Sequence, residues 1–149
     1  MKHGRHFLRS LLLTRSEWME ERVFAGAAKH GYGHLTPAMV RLFGHMGRTP
    51  VGISEIARRM AVSRQAAHQL ANEAAKLGLL ELVPSEYDRR VKLLRFTSQG
   101  WAMSDSAARE LERIEAELAR HIGAGDLETL RRILAQSWPG DEAVENEPA

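Results

Sequence analysis

The sequence predicts a mainly α-helical fold that contains one short β-hairpin. Apolar residues recur at steps of three and four over most of the chain, which is the spacing of amphipathic helices. One pair of short apolar segments around a polar turn has instead the pattern of two strands. Aromatic residues make up only 6% of the chain and apolar residues 44%, a composition that favours helices and is sufficient for a core.

Helix ends are predicted from capping residues and from Gly and Pro. Ser, Thr and Asp side chains accept hydrogen bonds from the first free N–H groups of a helix, and Gly or Pro interrupts the apolar periodicity. The predicted caps are Thr36, Ser54, Ser63, Thr97 and Asp126. The predicted helices span residues 7–28, 37–46, 55–60, 64–77, 98–122 and 127–138, with a turn over 49–52.

Two of the shorter helices and the hairpin follow one another without a gap. Only residues 61–63 separate the helices at 55–60 and 64–77, which is the spacing of a helix-turn-helix. The predicted strands, 79–83 and 91–96, come directly afterwards. This order predicts a winged helix-turn-helix core with a two-stranded wing, an arrangement able to bind DNA.

Charge is unevenly distributed along the chain. Residues 1–100 contain 16 Lys and Arg against 8 Asp and Glu, a net charge of +8, whereas residues 101–149 contain 5 against 11, a net charge of −6. The difference indicates a nucleic-acid-binding face in the first part and a solvated or partner-binding second part. Ordinary helix-surface charges would produce a similar difference, so charge supports DNA binding only together with the order of the elements.

The helix at 64–77 presents two chemically different faces. Arg pairs with guanine edges and Gln with adenine edges in the major groove, so its first two turns are able to read a base sequence. A serine at its start caps the helix and is expected to donate to a phosphate. The predicted major-groove residues are Ser63, Arg64, Gln65, His68 and Gln69. The apolar face that seats the helix consists of Ala67, Leu70, Ala71, Ala74 and Leu77.

The hairpin is basic at its tip. We expect Arg89, Arg90 and Lys92 to lie near the minor groove or the flanking backbone, where they neutralise phosphates and make binding salt-dependent. A single charge of this kind is usually only solvated. The prediction therefore depends on the position of these residues behind a helix-turn-helix.

Residues 35–100 resemble the winged-helix core of the MarR family of bacterial regulators. The motifs that carry the resemblance are Ser54-Glu55-Ile56-Ala57, Val62-Ser63-Arg64, Leu77-Gly78-Leu79, Asp88-Arg89-Arg90 and Phe96-Thr97-Ser98-Gln99-Gly100. The most specific part is Asp88-Arg89-Arg90 followed by Thr97 and Gly100. The chain departs from the family at Ala74, where a large aliphatic residue is usual, so Leu77 is expected to help seat the helix. Leu82 and Val83 stand where basic residues are frequent.

The resemblance implies a homodimer that places two recognition helices in successive major grooves of a palindromic promoter site and represses transcription. It implies that Asp88 holds Arg90 in position at the minor groove. The implied domains are an N-terminal dimerisation helix and linker at 1–34, the DNA-binding domain at 35–100, C-terminal dimerisation helices at 101–138 and an acidic disordered tail at 139–149. The residues themselves also favour a dimer, because the stripe Leu111, Ile114, Leu118 and Ile122 needs an apolar cover. Folding back on the core of the same chain is the alternative.

The resemblance further implies a small aromatic effector. Two aromatic rings form apolar walls and several cations suit a carboxylate, so the candidate pocket residues are Arg15, Trp18, Arg22, Arg41, Phe43 and His45. The alternative is that the rings are core and the arginines solvated. An effector-independent or architectural DNA-binding protein is then the competing function.

Other functions find no support in the sequence. The chain has no Cys and no His-Glu-x-x-His pattern, and its seven histidines (His3, His6, His30, His34, His45, His68 and His121) are scattered, so we expect no metal and no cofactor. No phosphate loop or nucleophile-and-base set indicates an enzyme. Without a membrane-length apolar run or a secretory signal, the protein is expected to be cytoplasmic.

Overall fold

The computed structural model describes residues 7–139 and 141. In this part of the chain, six helices and three strands follow in the order α1 (Leu8–Lys29), α2 (Pro37–Gly44), β1 (Val51–Gly52), α3 (Ile53–Met60), α4 (Arg64–Lys76), β2 (Leu80–Pro84), β3 (Lys92–Phe96), α5 (Ser98–Ile122) and α6 (Ala124–Leu134). The predicted mainly helical fold with a winged helix-turn-helix core is confirmed. The predicted tail lies outside the described residues, apart from Pro139 and Asp141.

The chain divides into two compact units, the first ending at Leu111 and the second beginning at Glu112. The first unit holds the sheet, in which β3 lies between β1 and β2 and pairs antiparallel with both. Val51 and Leu82 both lie opposite Leu94. The sequence predicted a turn over 49–52, but its last two residues, Val51 and Gly52, form β1 instead. Two residues are too few to show the alternation of a strand, and β3 supplies the pairing that makes them one.

The core of the first unit lies between the helix-turn-helix and the sheet. Leu42, Ile56, Leu80 and Leu94 are almost completely buried there. Helix α4 packs on this core through three alanines, Ala67, Ala71 and Ala74, which are fully buried. Because alanine side chains are short, the backbone of α4 lies close to its neighbours. Leu77 does not seat the helix as expected, since it is 40% exposed; the partly buried Leu70 packs against the core instead.

Several predicted caps are confirmed. The Thr36 side chain accepts a hydrogen bond from the Met39 N–H (3.2 Å), and the Ser63 Oγ accepts one from the Ala66 N–H (3.1 Å). Helix α2 ends at Gly44 rather than near Gly47.

Two predicted caps were wrong. Helix α3 begins one residue before Ser54, with Gly52 at the capping position, because β1 runs directly into the helix. Helix α6 begins after Gly123, whose φ of 97° suits glycine, and Asp126 lies within its first turn. An acidic residue there still stabilises the helix through its dipole.

The second unit contains the end of α5 and the whole of α6. Arg131 joins them, since its Nη2 donates to Glu115 Oε2 (2.5 Å) and its Nη1 to Glu128 Oε2 (2.7 Å). These hydrogen bonds, the one to Glu128 foremost, raise the pKa of the Arg131 guanidinium above its usual value. Helix α6 and the residues after it expose Leu130, Ile133, Leu134 and Trp138.

None of the helices in residues 7–139 combines the length and the hydropathy needed to cross a lipid bilayer.

Candidate nucleic-acid interface

The first two turns of α4 form a polar surface that is fully accessible. Ser63, Arg64, Gln65, His68 and Gln69 are all exposed. Gln65 and Gln69 lie opposite the buried alanines of the same helix. Arg64 stands three residues before the buried Ala67 and is exposed because it lies in the first turn. The Ser63 cap fixes the start of the helix, because its Oγ accepts a hydrogen bond from one of the N–H groups that have no partner within the helix.

Two of these side chains are held by residues one turn later. Gln69 Nε2 donates to Glu73 Oε1 (3.3 Å), which leaves the Gln69 carbonyl oxygen available. The Asn72 amide nitrogen lies 3.1 Å from His68 Nδ1, so in the tautomer that accepts this bond His68 Nε2 carries a hydrogen to donate. Both side chains are thereby held by contacts within the helix.

Helix α3 carries an ion-pair cluster that the sequence reading did not single out. Glu55 accepts hydrogen bonds from Arg58 Nη2 (2.6 Å), Arg58 Nε (2.9 Å) and Arg59 Nε (2.7 Å). Arg59 Nη1 also donates to the His45 carbonyl at the end of α2 (2.8 Å). The hydrogen bonds from Arg58 and then Arg59 lower the pKa of the Glu55 carboxyl to about 2. The spacing of three and four residues was visible in the sequence; the bond to His45 was not.

The wing loop, defined as residues 85–91, joins β2 to β3. Arg89, Arg90 and Lys92 are exposed, and the Arg90 side chain is 96% exposed. Asp88 Oδ1 accepts a hydrogen bond from the Arg90 backbone N–H (3.0 Å) and lies 3.9 Å from Arg90 Nε. Arg95, farther along β3, pairs with Glu81 on β2 (2.7 Å), so its charge is partly balanced within the sheet.

One hydroxyl joins the end of α4 to the start of α5. Thr97 Oγ1 donates to the Gly78 carbonyl (2.5 Å) and accepts from the Gly100 N–H (3.0 Å). A Cβ on Gly100 would lie 2.0 Å from the Leu79 carbonyl oxygen, so this position accepts only glycine without movement. The Thr97-x-x-Gly100 motif noted in the sequence therefore sets how closely the start of α5 approaches the turn after α4.

The end of α4 shows why Gly78 is required. Its φ is +75°, and the Leu79 N–H bonds the Ala74 carbonyl (3.2 Å) while the Gly78 N–H bonds the Ala75 carbonyl (2.9 Å). This pair of bonds is the Schellman motif, which needs a left-handed residue. Helix α4 and strand β2 are thus connected by a fixed turn.

A protein-family model matches the region that contains these elements. Residues 35–91, which span α2, the helix-turn-helix and the wing loop, match the model of the MarR family. This part of the chain is therefore similar to the MarR family. The resemblance drawn from the sequence motifs is confirmed. Among curated proteins, no sequence matches this chain.

Several solved structures have the same fold as this chain. The reduced form of MarR from E. coli is 17% identical with a TM-score of 0.73, covering 89% of this chain and 96% of that one. The repressor CouR bound to a 23-mer DNA duplex is 24% identical with a TM-score of 0.72, covering 91% and 96%. The YusO protein from Bacillus subtilis is 19% identical with a TM-score of 0.60, covering 94% of each chain. These likenesses extend the MarR-type winged-helix fold over nearly the whole chain.

The candidate effector residues are distributed over α1 and the region of α2. On α1, the Arg22 guanidinium stacks on the Trp18 ring (3.8 Å to the ring centroid), and Arg15 is exposed. Phe43 packs on Phe96 of β3 (6.0 Å between ring centroids), and Phe96 in turn packs on Trp101 (4.9 Å). Phe43 therefore packs against the core, which was the alternative to a place in an effector pocket. His45 is exposed at the end of α2.

Arg41 lines a cavity that the sequence reading did not foresee. The cavity has a volume of about 260 Å³ and lies between α2, the helix-turn-helix turn and α4. Five of its lining residues are apolar and three are polar. The apolar residues are Ala38, Met60, Val62, Ala66 and Leu70, and the polar ones are Arg41, Gln69 and Glu73. The other five effector candidates are not among these residues. No sequence spacing brings together residues from three elements, so only the fold could place them.

Metal ligands do not converge in the part of the chain that the structure describes. Within residues 7–139 and 141, no group of three His, Asp or Glu side chains has the geometry of a metal site. His30 and His34 are exposed on either side of Tyr32, which is partly buried against the core. His3 and His6 lie outside the described residues.

Proposed function

We propose that this protein is a DNA-binding transcriptional regulator that acts as a homodimer in the cytoplasm, without catalysis. Helix α4 enters the major groove and reads bases through Arg64, Gln65, His68 and Gln69, while Ser63 contacts a phosphate. The wing contacts the minor groove or the flanking backbone through Arg89, Arg90 and Lys92, with Asp88 bracing Arg90. Binding to a palindromic promoter site represses transcription.

The observation that carries this proposal is the division of α4 into two faces. Its buried side is three alanines packed on the core, and Gln65 and Gln69 lie on the opposite side. Ser63, Arg64 and His68 are exposed in the first two turns. A helix fixed so closely to its domain presents the other face rigidly, which base readout requires. The DNA-bound CouR repressor, which has the same fold, supports a DNA partner for this one.

Homodimer formation is supported by apolar side chains that remain exposed at both ends of the described chain. On α6 and just after it, four large apolar side chains are between 42% and 47% exposed. Near the start of α1, Phe7, Leu8, Leu11 and Leu13 are likewise exposed. Surfaces of this kind mark protein–protein contacts, and a twofold dimer matches half-sites roughly 34 Å apart or a multiple of that.

The dimer is tested by sedimentation of the full chain. Ile133→Asp places a charge in the exposed apolar face of α6 and is expected to yield monomers. Arg132→Ala, at the neighbouring exposed position, is the control and should remain dimeric. A monomeric wild type, or a dimeric Ile133→Asp variant, would contradict the assignment of α6 to the interface.

DNA binding is tested by fluorescence anisotropy with the DNA upstream of the protein's own gene and with a scrambled duplex, at two salt concentrations. We expect tight binding to the upstream DNA only, with two chains per site. Equal binding to both duplexes, falling steeply with salt, would indicate a nonspecific basic surface and favour an architectural protein.

We also propose that a small aromatic acid relieves repression. Support comes from the cavity beside Arg41, because a guanidinium above apolar walls suits an aromatic carboxylate and because Gln69, a proposed base-reading residue, lines the same space. A ligand there would compete with DNA for α4. The competing hypothesis is a regulator without an effector.

A thermal-shift screen of aromatic acids distinguishes these two. A compound that raises the melting temperature and releases DNA supports the effector hypothesis, with a coupling of about 1–3 kcal/mol. Arg41→Ala should abolish the shift, whereas Arg15→Ala should abolish it only if the ligand lies against α1. Absence of any stabilising compound over a broad panel would favour effector-independent binding.

A further inference from the structure

The wing loop contains an aromatic side chain that the DNA-binding assignment leaves unused. Tyr87 is 100% exposed, whereas Tyr32, the other of the two tyrosines in the chain, is partly buried and packs against the core. A phenol ring combines a large apolar surface with one polar atom, and proteins usually bury most of that surface. The whole surface of the Tyr87 ring is therefore available to a partner.

Hydrogen bonds within the wing loop hold the backbone around Tyr87. The Ser85 N–H donates to the Val91 carbonyl (2.8 Å), and the Val91 N–H donates to the Asp88 carbonyl (2.9 Å). The Tyr87 N–H donates to Ser85 Oγ (3.2 Å), and Asp88 Oδ1 accepts from the Arg90 N–H (3.0 Å). Ser85 is itself buried, so it anchors the loop. The backbone on both sides of the ring is ordered in advance, which lowers the entropy cost of a contact.

The charges of the loop decide which surface the ring meets. Arg89, Arg90 and Lys92 follow Tyr87 and attract phosphates. Glu86 and Asp88 lie directly beside it, and their carboxylates disfavour a phosphate close to the ring itself. The walls of a minor groove consist of phosphates and deoxyribose, so the uncharged surface that the Tyr87 ring can contact there is deoxyribose.

We propose that Tyr87 is a DNA-contact residue whose ring packs against deoxyribose in the minor-groove wall while the neighbouring cations hold the flanking phosphates. The inference rests on the proposed function, since it needs the wing at DNA. The contact is apolar, so it adds affinity without adding to the salt dependence. It assigns the wing two separate contributions: an ionic one from the cations and an apolar one from Tyr87.

The first test compares variants in anisotropy titrations over a series of salt concentrations. Tyr87→Ala is expected to weaken binding about fivefold to tenfold, the factor for losing burial of a few tens of square ångströms of apolar surface, with an unchanged salt slope. Tyr87→Phe keeps the ring and should bind within about twofold of the wild type. Glu86→Ala is the matched truncation at the next exposed position and should bind at least as tightly as the wild type, because it removes a negative charge.

A second test observes the ring directly. Because the chain has two tyrosines, 3-fluorotyrosine labelling gives two ¹⁹F resonances, and the Tyr87→Phe variant assigns them. We expect the Tyr87 resonance to shift and broaden when the duplex is added, while the core-packed Tyr32 provides the internal reference.

The outcomes separate this inference from the function on which it rests. If the wild type binds DNA and Tyr87→Ala binds equally well, Tyr87 makes no contact and the inference is wrong. An equal loss in Tyr87→Phe and Tyr87→Ala would replace the ring contact with a hydroxyl–phosphate hydrogen bond. An equal loss in Glu86→Ala would assign the effect to loop conformation. A wild type that binds no DNA overturns the proposed function itself.

Discussion

Helix α4 and the wing loop are both assigned to DNA, but the protein holds them in opposite ways. Helix α4 is fixed by what lies behind it: three fully buried alanines, a serine cap at one end and a left-handed glycine at the other. The wing loop is fixed by its own hydrogen bonds, and its residues are exposed apart from Ser85. A substitution on the buried face of α4 is therefore expected to change both stability and DNA binding, because the two faces share one backbone. In the wing loop, stability and DNA binding are expected to change largely independently.

The largest expected effect is a loss of stability at Gly100, which lies in the first turn of α5 and packs against the turn that joins α4 to the wing. Gly100→Ala places a Cβ 2.0 Å from the Leu79 carbonyl oxygen, and the backbone of the wing exit must move to accommodate it. We expect a loss of about 3 kcal/mol or more in the free energy of unfolding, measured by urea denaturation. Gly44→Ala is the control, since a Cβ at Gly44 meets nothing within 4 Å. A stable Gly100→Ala variant would show that the wing exit tolerates displacement.

On the exposed face of α4, Arg64→Ala should change recognition without changing stability. The side chain is exposed at the first helical position, so we expect an unchanged melting temperature. We expect the variant to lose about 1–3 kcal/mol of binding free energy for the preferred base at one position and to discriminate less between bases there. Titrations against duplexes substituted at each position of the site measure this. A uniform loss over all duplexes would instead assign Arg64 to the phosphate backbone.

In the wing, Arg90→Ala should weaken binding to every sequence by a similar factor. If Arg90 neutralises one phosphate, the slope of log K against log[salt] should fall by about 1. Its side chain is almost completely exposed, so the melting temperature should not change. Arg132→Ala, an exposed cation on α6, serves as the control and should leave the slope unaltered. An unchanged slope in Arg90→Ala would remove Arg90 from the set of phosphate contacts.

The turn of the helix-turn-helix offers a smaller effect. Ala61 has a φ of 53°, in the left-handed region that side chains disfavour, yet the Val62 and Ala61 N–H groups bond the Ala57 and Arg58 carbonyls (3.0 and 3.1 Å). Ala61→Gly removes the strain but increases the freedom of the unfolded chain. We expect a net stabilisation of up to about 1 kcal/mol by thermal unfolding, with unchanged DNA affinity. Destabilisation would show that the alanine methyl group makes a favourable contact.

The smallest effect is a pH dependence at Glu55. Its pKa in the folded protein, about 2, is below the ordinary value of 4.5, so the folded state binds this proton less well than the unfolded state. Its stabilising contribution is complete above pH 4.5 and is lost as the pH falls towards 2. The melting temperature of Glu55→Gln should therefore be below that of the wild type at pH 7, with the difference vanishing near pH 2. A constant difference over this range would assign the effect to geometry rather than charge.

Local sequence patterns accounted for the two faces of α4. The alanine stripe and the Ser63 cap depend only on the helical repeat and on side-chain chemistry, so both could be predicted. The motif Thr97-x-x-Gly100 was also visible, but its reason is the close approach of the Leu79 carbonyl, which lies about twenty residues earlier in the chain.

Most of the failures come from tertiary contacts. Strand β1 exists because β3 supplies the pairing for two residues, and this strand also displaced the predicted cap of α3. Leu77 was expected to seat α4 because it continues the apolar stripe, yet the helix ends there and turns the side chain towards solvent. The cavity beside Arg41 is formed by three elements that no local pattern connects.

The self-contained hydrogen bonding of the wing loop has a consequence for how such proteins diversify. A segment that closes on itself and leaves the core undisturbed can accept new tip residues without a folding penalty. The alanine face of α4 gives no such freedom, because larger side chains there would push the helix off its domain. Under the proposed function, descendants of this protein would acquire new flanking-sequence preferences through the wing tip well before the helix itself adapts to a different DNA site.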